Sequence, residues 1–122
     1  RRMNSFDCFY TREMPEIFHL DHPIGSIVGQ SKMKNYLVIY QGVSIGSNLK
    51  NQYPSFDEGV VLYARSSVLG SCHISSNSAI GAHVILYNEN IKNNSSVSMR
   101  NKEGVKVNQI KWIVKDRYFP KS

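Results

Sequence analysis

The stretch VVLYARSSVLGSCHISSNSAIGAHVILYN, residues 60–88, places a large aliphatic at every sixth position: Leu62, Val68, Ile74, Ile80 and Leu86. The same step upstream picks out Ile27, Met33, Ile39 and Ile45. A period of six is neither the 3.6 of a helix nor the plain alternation of a long strand. Two places before each aliphatic stand uncharged residues, among them Ser31, Leu37, Val43, Ser66, Cys72 and Ser78. Two places after stand small residues or turn formers, such as Gly29, Asn35, Ser47, Ala64, Gly70, Ala82 and Asn88. Such a pattern describes a short strand that sends two side chains inward and then bends where the backbone tolerates unusual angles. Three such segments close a triangular coil, and stacked coils bury a column of aliphatics.

The pattern resembles the hexapeptide repeat of the left-handed parallel β-helix, which implies an all-β fold. The expected organisation is a lead-in segment over 1–23 that carries catalytic residues, the β-helix over 24–101 and a C-terminal cap or tail over 102–122. Between Ile45 and Leu62 the period lapses, and residues 47–58 read as a polar loop ejected from a corner, a usual place for binding residues on a rigid scaffold. At the far end Ile85, Ile91 and Val97 run one residue out of phase, which predicts a small bulge near the last coil. The tail, with KWIVKDRYF at 111–119, leaves the period and is expected to cover the open end of the solenoid or dock on a neighbour.

Composition bounds the function. The chain has 122 residues, 41% hydrophobic and 20% charged, which fits one domain with a modest core. Its apolar runs are short, so neither a membrane span nor a secretory signal is expected, and cytoplasm is the default location. A net charge of +6 points to anionic partners, but the Lys and Arg residues are scattered rather than striped with aromatics, which argues against nucleic acid and suits a phosphate-bearing cosubstrate. Cys8 and Cys72 form no metal or redox spacing.

Specific motifs narrow the class. LDHPIGSIVG (20–29) with YQGVSIGS (40–47), and EGVVLYARSSVLGSCHISSNSAIGA (58–82), are similar to segments of serine acetyltransferases. The resemblance implies an acetyl-CoA-dependent O-acyltransferase, a homotrimer with active sites between subunits, and no metal. A hydroxyl acceptor needs a base to take its proton as it attacks a thioester, and neutral imidazole suits that task. His22 stands where the family's catalytic His stands. Asp7, fifteen residues upstream, matches the interval of the family's orienting Asp, with Asp21 or Glu16 as alternatives. Adjacency alone does not make Asp21 the partner, because neighbours on an extended chain point to opposite sides.

The same resemblance places an oxyanion-binding backbone N–H at Ser47, beside Gly46, and backbone contacts to the pantetheine arm at Ala64 and Ala82. Lys92, Arg65 and Arg100 are candidates for the cosubstrate's phosphates. In the ejected loop, Gln52-Tyr53-Pro54 replaces the family's Arg-His-Pro, so the partner for an amino-acid carboxylate is gone and Tyr53 offers a hydroxyl and a stacking face. The acceptor is therefore serine or a sugar hydroxyl. Two other classes share the coil: a non-catalytic scaffold, and a γ-carbonic-anhydrase-like zinc enzyme, which needs a His set that His19, His22, His73 and His83 do not display.

Overall fold

A computed structural model describes residues 7–8, 18–20, 27–28, 31–100 and 104–119. In chain order its strands are β1 (Asp7–Cys8), β2 (Phe18–Leu20), β3 (Ile27–Val28), β4 (Lys32–Met33), β5 (Leu37–Ile39), β6 (Ser44–Gly46), β7 (Ser55–Phe56) and β8 (Val60–Leu62). They continue with β9 (Ser67–Leu69), β10 (His73–Ile74), β11 (Ser78–Ile80), β12 (Ile85–Tyr87), β13 (Asn90–Ile91), β14 (Ser95–Arg100) and β15 (Gly104–Gln109), followed by the short helix α1 (Val114–Tyr118). The strands form three sheets, β1-β3-β6-β9-β12, β4-β7-β10-β13 and β2-β5-β8-β11-β14-β15. Among the described residues pairing is parallel, save for the antiparallel β14–β15 hairpin. Successive strands therefore visit three faces in turn, as the six-residue period requires, and each coil stacks on the one before.

Register aligns the aliphatics into columns. Ile45, Val68 and Leu86 stack on one face, Ile39, Leu62, Ile80 and Val97 on another, and Met33, Phe56, Ile74 and Ile91 on the third. All but Met33 are buried in one core cluster, and Met33 packs against it. Corners turn on residues with positive φ, in vertical files: Gly42, Arg65 and His83; Tyr36, Gly59, Asn77 and Asn94; Gly70 and Asn88. Asn and Gly dominate because the left-handed region clashes least with their short or absent side chains.

Three expectations change in detail. The ejected loop is shorter than 47–58, because Ser55–Phe56 is already a strand of the next coil and Phe56 is core at 1% exposure. The period was lost there only because its inward residue is aromatic. The late phase shift is a one-residue deletion and not a bulge. Leu86 keeps register with Val68, yet Asn90 pairs with His73, so the corner after Asn88 is one residue shorter than the one above it. Ile85 points outward, 64% exposed, because Leu86 holds the inward place opposite Val68. At the first coil, backbone register sets Val28 rather than Ile27 opposite Ile45.

The C-terminal segment lies along the flank of its own coil. Val38, Val61 and Ala79, on the outer side of β5, β8 and β11, are buried by Ile110 and Val114, with Tyr40, Tyr63, Trp112, Tyr118 and Phe119 packed around them. This is why 37–39 and 60–62 are buried at every residue instead of alternating. Asn77 fastens the segment: its Nδ2 donates to the Trp112 carbonyl at 3.1 Å, and its Oδ1 accepts from Val114 N–H at 2.7 Å. The Tyr118 hydroxyl lies 2.7 Å from that of Tyr40 and donates to Tyr63 at 3.1 Å. Burial, with the Tyr118 hydroxyl beside it, pushes the Tyr63 pKa up from 10.0 to about 12.

Candidate active site

His22 and Asp21 lie outside the described residues. Asp7 is described by its backbone alone, in β1 opposite Ile27 on the face that continues into Ile45 and Val68. On that face β6 ends at Gly46, opposite Leu69, and the Gly46 carbonyl accepts from Gly70 N–H at 2.8 Å. A methyl group at Gly46 would sit in ordinary contact with Leu69 Cδ2, at 3.4 Å. Ser47 follows it, exposed, at the root of the ejected loop.

The loop is braced from within. Asn48 Oδ1 accepts from the N–H groups of Lys50 and Gln52 at 2.9 and 3.1 Å. Its Nδ2 donates to Gln52 Oε1 and to Asn88 Oδ1, both at 2.9 Å. The Gln52 carboxamide oxygen is thus part of the brace. Tyr53 is half-buried, Pro54 is buried, and Leu49 at the tip is 99% exposed. Asn88 Oδ1 also accepts from Ser71 N–H at 2.7 Å, which ties loop and corner together.

Ala64 and Ala82 occupy equivalent corners of successive coils. His83 N–H donates to the Ala64 carbonyl at 3.0 Å, and Arg65 N–H to the Gln41 carbonyl at 2.8 Å. Ala64 and Ala82 give this corner short side chains on two successive coils, with Gln41 in the same place on the coil before, Ala82 exposed, and the exposed Arg65 lying over Gly42 beside it. Lys92 is exposed on the last coil, and nothing is described of the Arg100 side chain.

One constellation escaped the sequence reading. On the outer side of the sheet formed by β4, β7, β10 and β13, Ser55 Oγ lies 2.8 Å from His73 Nδ1, and His73 Nε2 lies 3.1 Å from Asp57 Oδ2. Lys34 Nζ is 3.7 Å from Asp57 Oδ1. Ser55 and His73 stand 18 residues apart, one full turn of three hexapeptides, so register makes them neighbours. That spacing was the available signal, hidden because Ser55 was assigned to the loop. Elsewhere, burial pushes the Cys72 thiol pKa up, and among the described residues no group of three His, Cys, Asp or Glu side chains is placed to hold a metal.

No protein-family model matches the chain. It is 32% identical over 73 residues to the serine acetyltransferase of Staphylococcus xylosus, covering 57% of this chain and 34% of that protein. Among solved structures, the serine acetyltransferase of Brucella abortus strain S19 in complex with coenzyme A superposes with a TM-score of 0.68 at 21% identity, covering 81% of this chain and 41% of that one. A maltose O-acetyltransferase from Clostridium difficile 630 superposes with a TM-score of 0.68 at 15% identity, covering 88% and 64%. The chain is serine acetyltransferase-like in sequence, and its fold is the left-handed parallel β-helix of these neighbours. It spans about a third of the length of the curated relative it matches.

Proposed function

We propose that this chain forms the catalytic coil of an acetyl-CoA-dependent O-acetyltransferase. The observation that carries the reading is the likeness to a serine acetyltransferase over 73 residues, beside the short-side-chain corner of Ala64 and Ala82. A thioester cosubstrate with a long, thin arm fits such a corner, since its backbone can be approached closely, and Arg65 offers charge for its phosphates. Bound there, the thioester supplies an activated acetyl carbonyl.

His22 then takes the proton of the acceptor hydroxyl as its oxygen attacks that carbonyl, and Asp7, or Asp21 in its place, stabilises the imidazolium. The backbone N–H of Ser47, beside Gly46, donates to the oxyanion of the tetrahedral intermediate. His22 returns the proton to the departing thiolate. A homotrimer with sites between subunits accords with the apolar outer side of β12, where Ile85 and Tyr87 are 64% and 52% exposed.

Tyr53 faces the acceptor, which is serine or a sugar hydroxyl. A thiol-release assay with acetyl-CoA against serine and a panel of saccharides tests the proposal: release with one acceptor class supports it. No release with any acceptor, together with no thermal shift on adding coenzyme A, means a non-catalytic scaffold. Tyr53→Ala is expected to raise the acceptor KM while leaving coenzyme A binding, read by calorimetry, nearly unchanged. Equal loss of both would give the loop another role.

A further inference from the structure

We infer that Ser55, His73 and Asp57 form a second acyl-transfer centre, in which Ser55 is the nucleophile for small activated esters and thioesters. The inference is independent of His22. It rests on hydrogen-bond logic: an ionised Asp57 carboxylate only accepts, so the His73 Nε2 atom 3.1 Å from it carries the ring proton. Nδ1 of the neutral ring then has a lone pair and no hydrogen, so across the 2.8 Å contact the Ser55 hydroxyl must donate. Nucleophile, base and orienting acid are thereby joined in one chain, the arrangement that activates a serine, with the two ring nitrogens exchanged relative to the common triad.

The surroundings suit the chemistry. The His73 side chain is 48% exposed and Ser55 is half-buried, so a small acyl compound reaches Oγ from solvent. Lys34 Nζ, 3.7 Å from Asp57 Oδ1, places a positive charge beside the acid member of the chain. The backbone N–H groups of Ser55, His73 and Asp57 are already donated, to the Cys72 carbonyl, Asn90 Oδ1 and the Ile74 carbonyl. Charge developing on a substrate oxygen is instead met by Lys32, exposed and the direct register neighbour of Ser55 on the side away from His73.

In the reaction His73 Nδ1 takes the Ser55 proton as Oγ bonds to the acyl carbon, and the bond to the leaving oxygen or sulfur breaks as that atom takes the proton from His73. Water then attacks the acyl-serine, losing a proton to His73, which returns one to Ser55 Oγ as the carboxylic acid departs. Ser55 on β7 and Asp57 just after it thus hold a histidine one coil away.

The test incubates the full chain with p-nitrophenyl acetate, quenches in acid, and locates acetyl groups by mass and peptide mapping. The expected result is acetylation of Ser55, absent in Ser55→Ala and about a hundredfold slower in His73→Gln, the usual order for loss of a general base. His73→Gln keeps hydrogen-bonding capacity but no base, and its thermal midpoint shows whether the fold survives. If it does not, Asp57→Asn serves in its place, with the same slowing expected. No acetyl on Ser55, acetyl only on lysines, or wild-type rates in these variants overturns the assignment.

Discussion

At single positions, the coil is controlled by what a corner can hold. Gly70 has φ +79, and a Cβ there would collide with the Asn88 carboxamide oxygen and lie 3.1 Å from Asn48. The same Asn88 and Asn48 brace the ejected loop, so Gly70 leaves space for the loop's attachment as well as for the turn. Gly70→Ala is expected to lower stability by about 1–3 kcal/mol, from left-handed strain plus the clash, measured by urea denaturation. Asn88→Gly loses the bonds from Asn48 and Ser71, but Gly70→Ala should cost less in that background than in the parent, because the clashing oxygen is gone and only the strain remains. A Gly70→Ala chain as stable as the parent would mean that the corner relaxes freely. Positive φ falls on the small residue two places after the aliphatic at Gly70 and Asn88; at the other two corners it falls one residue later, so that Arg65 and His83 adopt it where Ala64 and Ala82 were the expected bends. Their conformation is imposed by the file they share with Gly42, so neighbouring coils and not local preference decide it.

At the scale of elements, the period predicted strands and columns well where inward residues are aliphatic, and failed where Phe56 took the place. It registered the one-residue slip near the last coil but read it as a bulge, because a sequence without its pairing does not tell a deletion at a corner from an insertion in a strand. The sheet of β5, β8 and β11 is covered outside by the C-terminal segment, and the signal was present in the unbroken apolar runs Leu37–Ile39 and Val60–Leu62. This cover is pH-sensitive in one direction. Tyr63 holds its proton more tightly folded than unfolded, with a pKa of about 12 against 10.0. The stability linked to the Tyr63 proton is thus fully present below pH 10.0 and is lost as pH rises toward about 12. Comparing urea midpoints of the parent and Tyr63→Phe across that range should show a steeper fall in the parent. Parallel curves would remove the tyrosine from the account.

At the scale of the whole molecule, a rigid solenoid explains how chemistry is distributed. Stacked coils bring residues 18 apart into contact, which built the Ser55–His73 pair and the Ala64–Ala82 lane, and an ejected loop adds side chains beside the corner where β6 ends. The fold was readable because one period governs most of the chain. The proposed site rests on motif likeness around His22, because linear spacing does not display which atoms the stacking of coils brings together. The central claim is that His22 is the base for acetyl transfer from acetyl-CoA. The direct measurement is steady-state thiol release by parent and His22→Ala with the productive acceptor, alongside coenzyme A affinity by calorimetry. The account predicts a fall of about a hundredfold or more in kcat with affinity and oligomeric state unchanged; an unchanged kcat in His22→Ala would contradict it.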